Sequence, residues 1–174
     1  MSGLTIRQYG DPVLKERTRE VQEIDGSVAA LAESMIETMY EAPGSGLAAN
    51  QIGVLKRVII YQDSQGQMQS LTNPEIIEFG SETSTAAEGC LSLPGLQVKV
   101  TRPTEITVTG LTEDFQPITM VAEGLEARVI QHEIDHLNGI LIVDHQGKLN
   151  RKMTLDKWMK KTIQFRRHER KLAA

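Results

Sequence analysis

The chain has 174 residues, enough for one sizeable core and too few to suggest two full domains. Its 40% hydrophobic and 24% charged residues are ordinary for a soluble globular protein, and no stretch approaches the roughly 18 apolar residues of a membrane span. The formal net charge of −4 hides a split: residues 148–174 hold ten Lys or Arg against Asp156 and Glu169, so the tail is near +8 and the body near −12.

The start, "MSGLTIRQYGDPVL", has no apolar run suited to a secretory signal, and Arg7, Asp11 and Pro12 interrupt it early. Cys90 is the single cysteine, which excludes an internal disulfide and fits a reducing, cytoplasmic setting. Val28, Leu31, Met35 and Met39 recur at helical spacing and predict a helix over 28–41, capped by Ser27 or Asp25 and stopped by Pro43 and Gly44. "RVIIY" at 57–61 reads as a buried strand. A turn at Ser64–Gly66 leads to a short strand near residue 70, and further β-rich runs lie at 74–79, 96–100, 105–111 and 117–122. "TEDFQP" between the last two reads as a hairpin loop.

"GLEARVIQHEIDHLNG", 124–139, predicts a buried helix. Leu125, Val129, His132 and His136 share one face, Ile130, Ile134 and Leu137 line another, and Gly139 ends it. A short apolar strand is expected at 140–143. The basic tail then forms a helix from about Thr154, with Leu155, Trp158, Met159 and Thr162 on one side. This order predicts an α+β fold, with a main domain over 1–147 and a basic helical tail over 148–174 that packs on it or extends from it.

"HEIDH", His132–His136, places two imidazoles one helical turn apart, where they can bind one metal ion. Glu133 is then placed to act on a water as general base. A catalytic site needs a third protein ligand. The metzincin continuation would need a ligand where Ile142 stands, and Glu169 lies in the basic tail. His145 and Cys90 remain as candidates. Cys90 sits in "EGCLSLPG", whose Glu88, Gly89 and Pro94 mark a shaped loop, although a lone cysteine is also common core filler. A third stretch, "GSGLAANQIG" at 44–53, has glycines that allow close backbone approach. Its Gln51 is a polar group that could donate to a developing oxyanion.

Taken together and in order, "GSGLAANQIG", "EGCLSLPG" and "QHEIDHLNG" strongly resemble the three signature motifs of the peptide deformylases, and the similarity extends from "YGDPVLKERTREV" to about residue 144. The resemblance implies an α+β fold of short, mostly antiparallel strands in small sheets around a central metal-binding helix. It implies removal of the formyl group from N-formylmethionine at the start of nascent polypeptides. It makes Cys90, His132 and His136 the ligands of one divalent ion, usually Fe2+, with Zn2+, Ni2+ or Co2+ as alternatives. Glu133 becomes general base and acid, and Gln51 and the Leu91 N–H the oxyanion donors. Ser45, Gly46 and Gly89 would then lie along the substrate, with Leu125 and Val129 forming a methionine pocket. Charge alone pairs Arg102 with Glu88 in support of the site. A metallopeptidase using the same helix is the rival activity. The basic tail raises a ribosome contact, weighed against a plain solvated helix face; no DNA or membrane partner is expected.

Overall fold

The computed structural model describes residues 4–172, with side chains described over 4–164. Asp25 opens α1 (Gly26–Glu41): its carboxylate accepts from the Ser27 N–H at 2.9 Å, so the aspartate is the cap. Val28, Met35, Thr38 and Met39 form the helix's buried face. The chain continues through β1 (Gly46–Ala48), a 3-10 turn over Ala49–Ile52, and β2 (Val58–Gln62), whose first four residues are buried.

The runs near 70 and at 74–79 are one strand, β3 (Met68–Phe79). Pro74 makes the sequence look broken there because it cannot donate to a ladder. The strand absorbs it with a register shift between Thr72 and Glu75, and Asn73 takes a positive φ of 52°. The Asn73 side chain fixes this bulge by accepting from the Val21 N–H (2.8 Å) and donating to the Val21 carbonyl (2.9 Å). Next come β4 (Thr83–Gly89), β5 (Gln97–Pro103), β6 (Glu105–Leu111) and β7 (Pro117–Glu123). "TEDFQP" does join β6 to β7, with Phe115 at φ 58°.

Five strands form one antiparallel sheet in the order β1-β2-β3-β6-β7, and β4-β5 form a separate hairpin sheet. The next helix, α2 (Gly124–Leu137), contacts β1, β2 and β7 of the first sheet and β5 of the second, so it lies between them as expected. Ile130, Ile134 and Leu137 join Ile59, Leu71, Ile106 and Val108 in one core cluster. The helix ends in two bonds around left-handed Gly139 (φ 74°): Gly139 N–H to the His136 carbonyl and Ile140 N–H to the Asp135 carbonyl, both 2.9 Å.

The strand expected at 140–143 is instead a 3-10 turn over Ile142–His145. Its apolar run serves a different core: Leu141, Ile142 and Val143 pack with Leu14, Leu93, Val98 and Val100. A short apolar run cannot by itself distinguish the two. The last helix, α3 (Lys148–Leu172), begins at Lys148 rather than near Thr154. Leu155 is buried, and the Trp158 indole N–H donates to the Pro94 carbonyl at 3.0 Å. No helix among the described residues is long and apolar enough to cross a membrane.

Candidate metal centre

Three elements converge. The helix α2 brings His132, Glu133 and His136; Cys90 follows the last residue of β4; Gln51 stands in the turn after β1. One ligand atom each from Cys90, His132 and His136 lies within 4.8 Å of the others, and Cys90 Sγ sits 3.2 Å from His136 Nε2. Two ligands at tetrahedral angles around a metal bonded at about 2.0–2.3 Å stand roughly 3.5 Å apart, so the sulfur and the nitrogen are within a few tenths of an ångström of a ligand spacing. Two further observations fit a metal. Glu133 Oε2 is buried next to the cluster with no hydrogen-bond partner among the described residues. His132 uses Nδ1 on Glu88 Oε2 at 3.1 Å, which leaves Nε2 for the cluster, an arrangement common behind metal-bound histidines.

Glu88 is the hub behind the ligands. Arg102 grips it with Nε and Nη2 at 2.7 and 3.0 Å, so the pair read from charge forms, and Arg128 adds a third contact at 2.7 Å. Burial alone would raise the Glu88 carboxyl, but the bonds from His132 and Arg102 hold it well below the usual carboxylate range. Burial likewise opposes charge on His132, yet Glu133, Cys90 and Glu88 around it lift it well above the ordinary histidine value. Burial, then the neighbouring His132, pushes His136 well below it. Burial raises Glu133 to about 7 against the pull of His132 and Arg102.

The remaining candidates for third ligand fall elsewhere. His145 Nε2 pairs with Asp135 Oδ2 at 2.8 Å, and Ile142 is buried in the apolar cluster around Leu14. The Glu169 side chain lies outside the described residues.

Cys90 and His132 open onto a cleft of about 760 Å3, with His136 buried behind them. It is lined by every residue expected to meet a substrate, Ser45, Gly46, Gly89, Leu125 and Val129, together with Gln51, Leu91 and Glu133. Gly46 is dictated by packing: a Cβ there would sit 2.8 Å from Val129 Cγ1 and collide with the Glu133 carboxylate. A Cβ on Gly89 would meet only the Leu96 carbonyl, at 3.8 Å, so the space beside it belongs to the cleft. Leu125 is 70% exposed at the rim, an apolar surface awaiting cover.

Gln51 is held with a defined orientation. Its Oε1 accepts from the Ala48 N–H at 2.9 Å, which turns Nε2 toward Ser92 Oγ (3.2 Å) and Cys90 Sγ (3.8 Å). The Leu91 N–H has no acceptor among the described residues. Sequence reasoning missed fully buried Ser92, and also Arg128 and Asp135, which complete the charged network. Arg128 had a signal, since it lies one turn before His132 on the same helix face.

A family model described as polypeptide deformylase matches residues 4–152. The peptide deformylase of Natranaerobius thermophilus is 47% identical over 146 residues, covering 84% of this chain and 94% of that one. That of Thermodesulfovibrio yellowstonii is 45% identical over 165 residues, covering 92% and 99%. Among solved structures, the peptide deformylase of Ehrlichia chaffeensis in complex with actinonin superposes with a TM-score of 0.87 at 36% identity, over 92% of this chain and 98% of that one.

Proposed function

Since this chain belongs to the polypeptide deformylase family, we propose that it hydrolyses the formyl amide of N-formylmethionine on nascent polypeptides and releases formate. The observation that carries the reading is the meeting of Cys90, His132 and His136 at one cleft that also holds Glu133 and Gln51.

In this reading Cys90, His132 and His136 hold one divalent ion. Ferrous iron is our assignment, and zinc, nickel or cobalt accept the same ligands. The bound ion supplies Lewis acidity, acidifying water and polarising a carbonyl. Glu133, buried with its carboxyl near 7, takes a proton from the attacking water and delivers it to the departing amine nitrogen, so the C–N bond breaks to a neutral amine. The Gln51 Nε2 and the Leu91 N–H donate to the formyl oxygen as charge grows on it. Each such donor is typically worth roughly 10²- to 10³-fold in rate. The strand β1 is an edge of its sheet, and Ser45 and Gly46 beside it face the cleft, so an extended peptide lies between them and Gly89. Leu125 and Val129 cover the methionine side chain.

The test is formate release from formyl-Met-Ala-Ser by protein prepared without oxygen, with metal analysis of the same sample. Release with bound iron supports the reading; metal bound without release overturns it.

We also propose that residues 1–147 are the catalytic unit, that the protein acts in the cytoplasm, and that α3 contacts the ribosome. The ten basic residues of 148–174 support the last point, because they suit RNA phosphates. Removing 148–174 should weaken ribosome binding in a salt-dependent way and spare peptide turnover; unchanged binding overturns the contact.

A further inference from the structure

We propose that Arg128 is a positioning residue that sets Cys90 against the histidine pair. The inference rests on the metal-site reading above and concerns how that site keeps its shape. The ligands come from two separately built parts. The histidines belong to α2, and Cys90 leaves the β4-β5 hairpin, which shares no strand pairing with the five-stranded sheet. Backbone bonds tie only the base of the hairpin, Thr104 N–H to the Glu82 carbonyl (2.9 Å) and Gly124 N–H at the start of α2 to the Thr104 carbonyl (2.8 Å), and no backbone ladder runs from there to fix the distance between thiol and imidazoles. Side chains must do it.

Arg128 spans the gap. From α2, its Nη1 donates to Glu88 Oε1 (2.7 Å) and the Val100 carbonyl (3.0 Å), and its Nη2 donates to the Ser84 carbonyl (2.9 Å) and Ser84 Oγ (2.8 Å). One side chain thus ties both strands of the hairpin to the metal helix. Arg102 makes the reciprocal tie, from β5 to Asp135 Oδ2 of α2 at 2.8 Å. The two guanidinium groups meet on Glu88, the residue that orients His132.

Arg128 also lines the cleft, so a direct role toward substrate competes with this one. Donor arithmetic decides between them. A guanidinium has five N–H groups, and four here are committed to the protein, with the side chain only 11% exposed. One remaining N–H is a poor substrate anchor; four bonds across two elements make a brace. Lysine would keep the charge opposite Glu88, but its three donors on one atom lack the fork that reaches Ser84 and Val100 together.

The experiment compares the wild type with Arg128→Lys and Arg128→Met, each loaded with Co2+. It records the visible spectrum of the bound cobalt and the rate of metal release to a chelator. Partners behind metal ligands typically change affinity by roughly 10- to 100-fold. Arg128→Met is expected to release cobalt about tenfold faster or more, with a weakened and shifted spectrum. Arg128→Lys should fall between it and the wild type, which keeps the test usable if Arg128→Met does not fold. Wild-type release and spectrum in the variants, with only a lower melting temperature, would overturn the proposal and leave the metal site standing. Failure of the wild type to bind cobalt at all would sink the metal-site reading itself.

Discussion

The helices α2 and α3 handle charge in opposite ways. Within fourteen residues α2 carries Glu126, Arg128, His132, Glu133, Asp135 and His136, and it turns most of them inward. Inward charge survives because the β4-β5 hairpin presents partners: Glu88 for Arg128 and His132, and Arg102 for Asp135. Over its described side chains α3 turns its lysines to solvent, and only Arg151 there forms an ion pair, with Asp144. It is held by an apolar edge, Leu155 and Trp158, beside Tyr9 and Pro94. Buried ionisable groups therefore report on chemistry when their partners run out. On α2 the carboxylate oxygen left unmatched is Glu133 Oε2, on the residue beside the first histidine.

The comparison breaks most completely at Cys90. Cys90→Ala removes the only ligand not on α2, and we expect it to lose the metal and all measurable deformylation, as read by metal analysis and formate release. Prolonged dialysis of the wild type against a chelator should give the same inactive protein, and activity should return with Fe2+. Glu133→Ala separates chemistry from binding. Metal content should stay near one per chain while turnover falls by roughly 10²- to 10⁴-fold, the usual worth of a positioned proton carrier. Retained turnover would remove Glu133 from its role.

Gly46→Ala sharpens the same point from the cleft side. The new Cβ would meet Val129 Cγ1 at 2.8 Å and collide with the Glu133 carboxylate, which must move. A misplacement on the order of 1 Å near the chemistry costs about 10² in rate. We expect kcat to fall by that order with the metal retained. A change in KM alone would show that Gly46 serves peptide binding and leaves Glu133 in place.

Much of this was legible in the sequence because the chemistry is local in the chain. "HEIDH" puts both imidazoles and the carboxylate on one helix, and periodicity placed that helix over nearly its whole length. The hairpin over 105–123 was equally clear from alternation and its loop. What the sequence hid depended on partners. The strand β4, "TSTAAEG", is exposed along most of its length, so it lacks the apolar pattern that marks strands. The bulge at Asn73 and Pro74 is stable because Val21, fifty-two residues away, bonds the asparagine side chain. The turn over Ile142–His145 looked like a strand because its residues fill a core that Leu14 and Leu93 help to build. Charge suggested the Glu88–Arg102 pair, but the part played by Arg128 needed the position of the hairpin.

The smallest expected effect lies at the joint between the two regions. Asp144 sits in the turn over Ile142–His145, where its carboxylate accepts from Lys15 Nζ, from the Leu141 N–H at 2.8 Å and from Arg151 Nη2 of α3 at 3.1 Å. Partial burial would raise its pKa, but the bonds from Lys15 and Leu141 outweigh burial and lower it. The sign follows from linkage. A carboxyl depressed in the folded state stabilises the fold above the unfolded aspartate value, near 3.9, and loses that contribution as pH falls through the lower folded value. Asp144→Asn should therefore cost about 1 kcal/mol at neutral pH, since solvent screens these pairs. The gap to wild type should close as pH drops below about 3.9. Urea midpoints of both proteins across that range provide the measurement. Asp144 is not among the residues lining the cleft, so kcat should not change. A gap that stays constant with pH would mean that the cost comes from lost packing at the joint and that charge there contributes little.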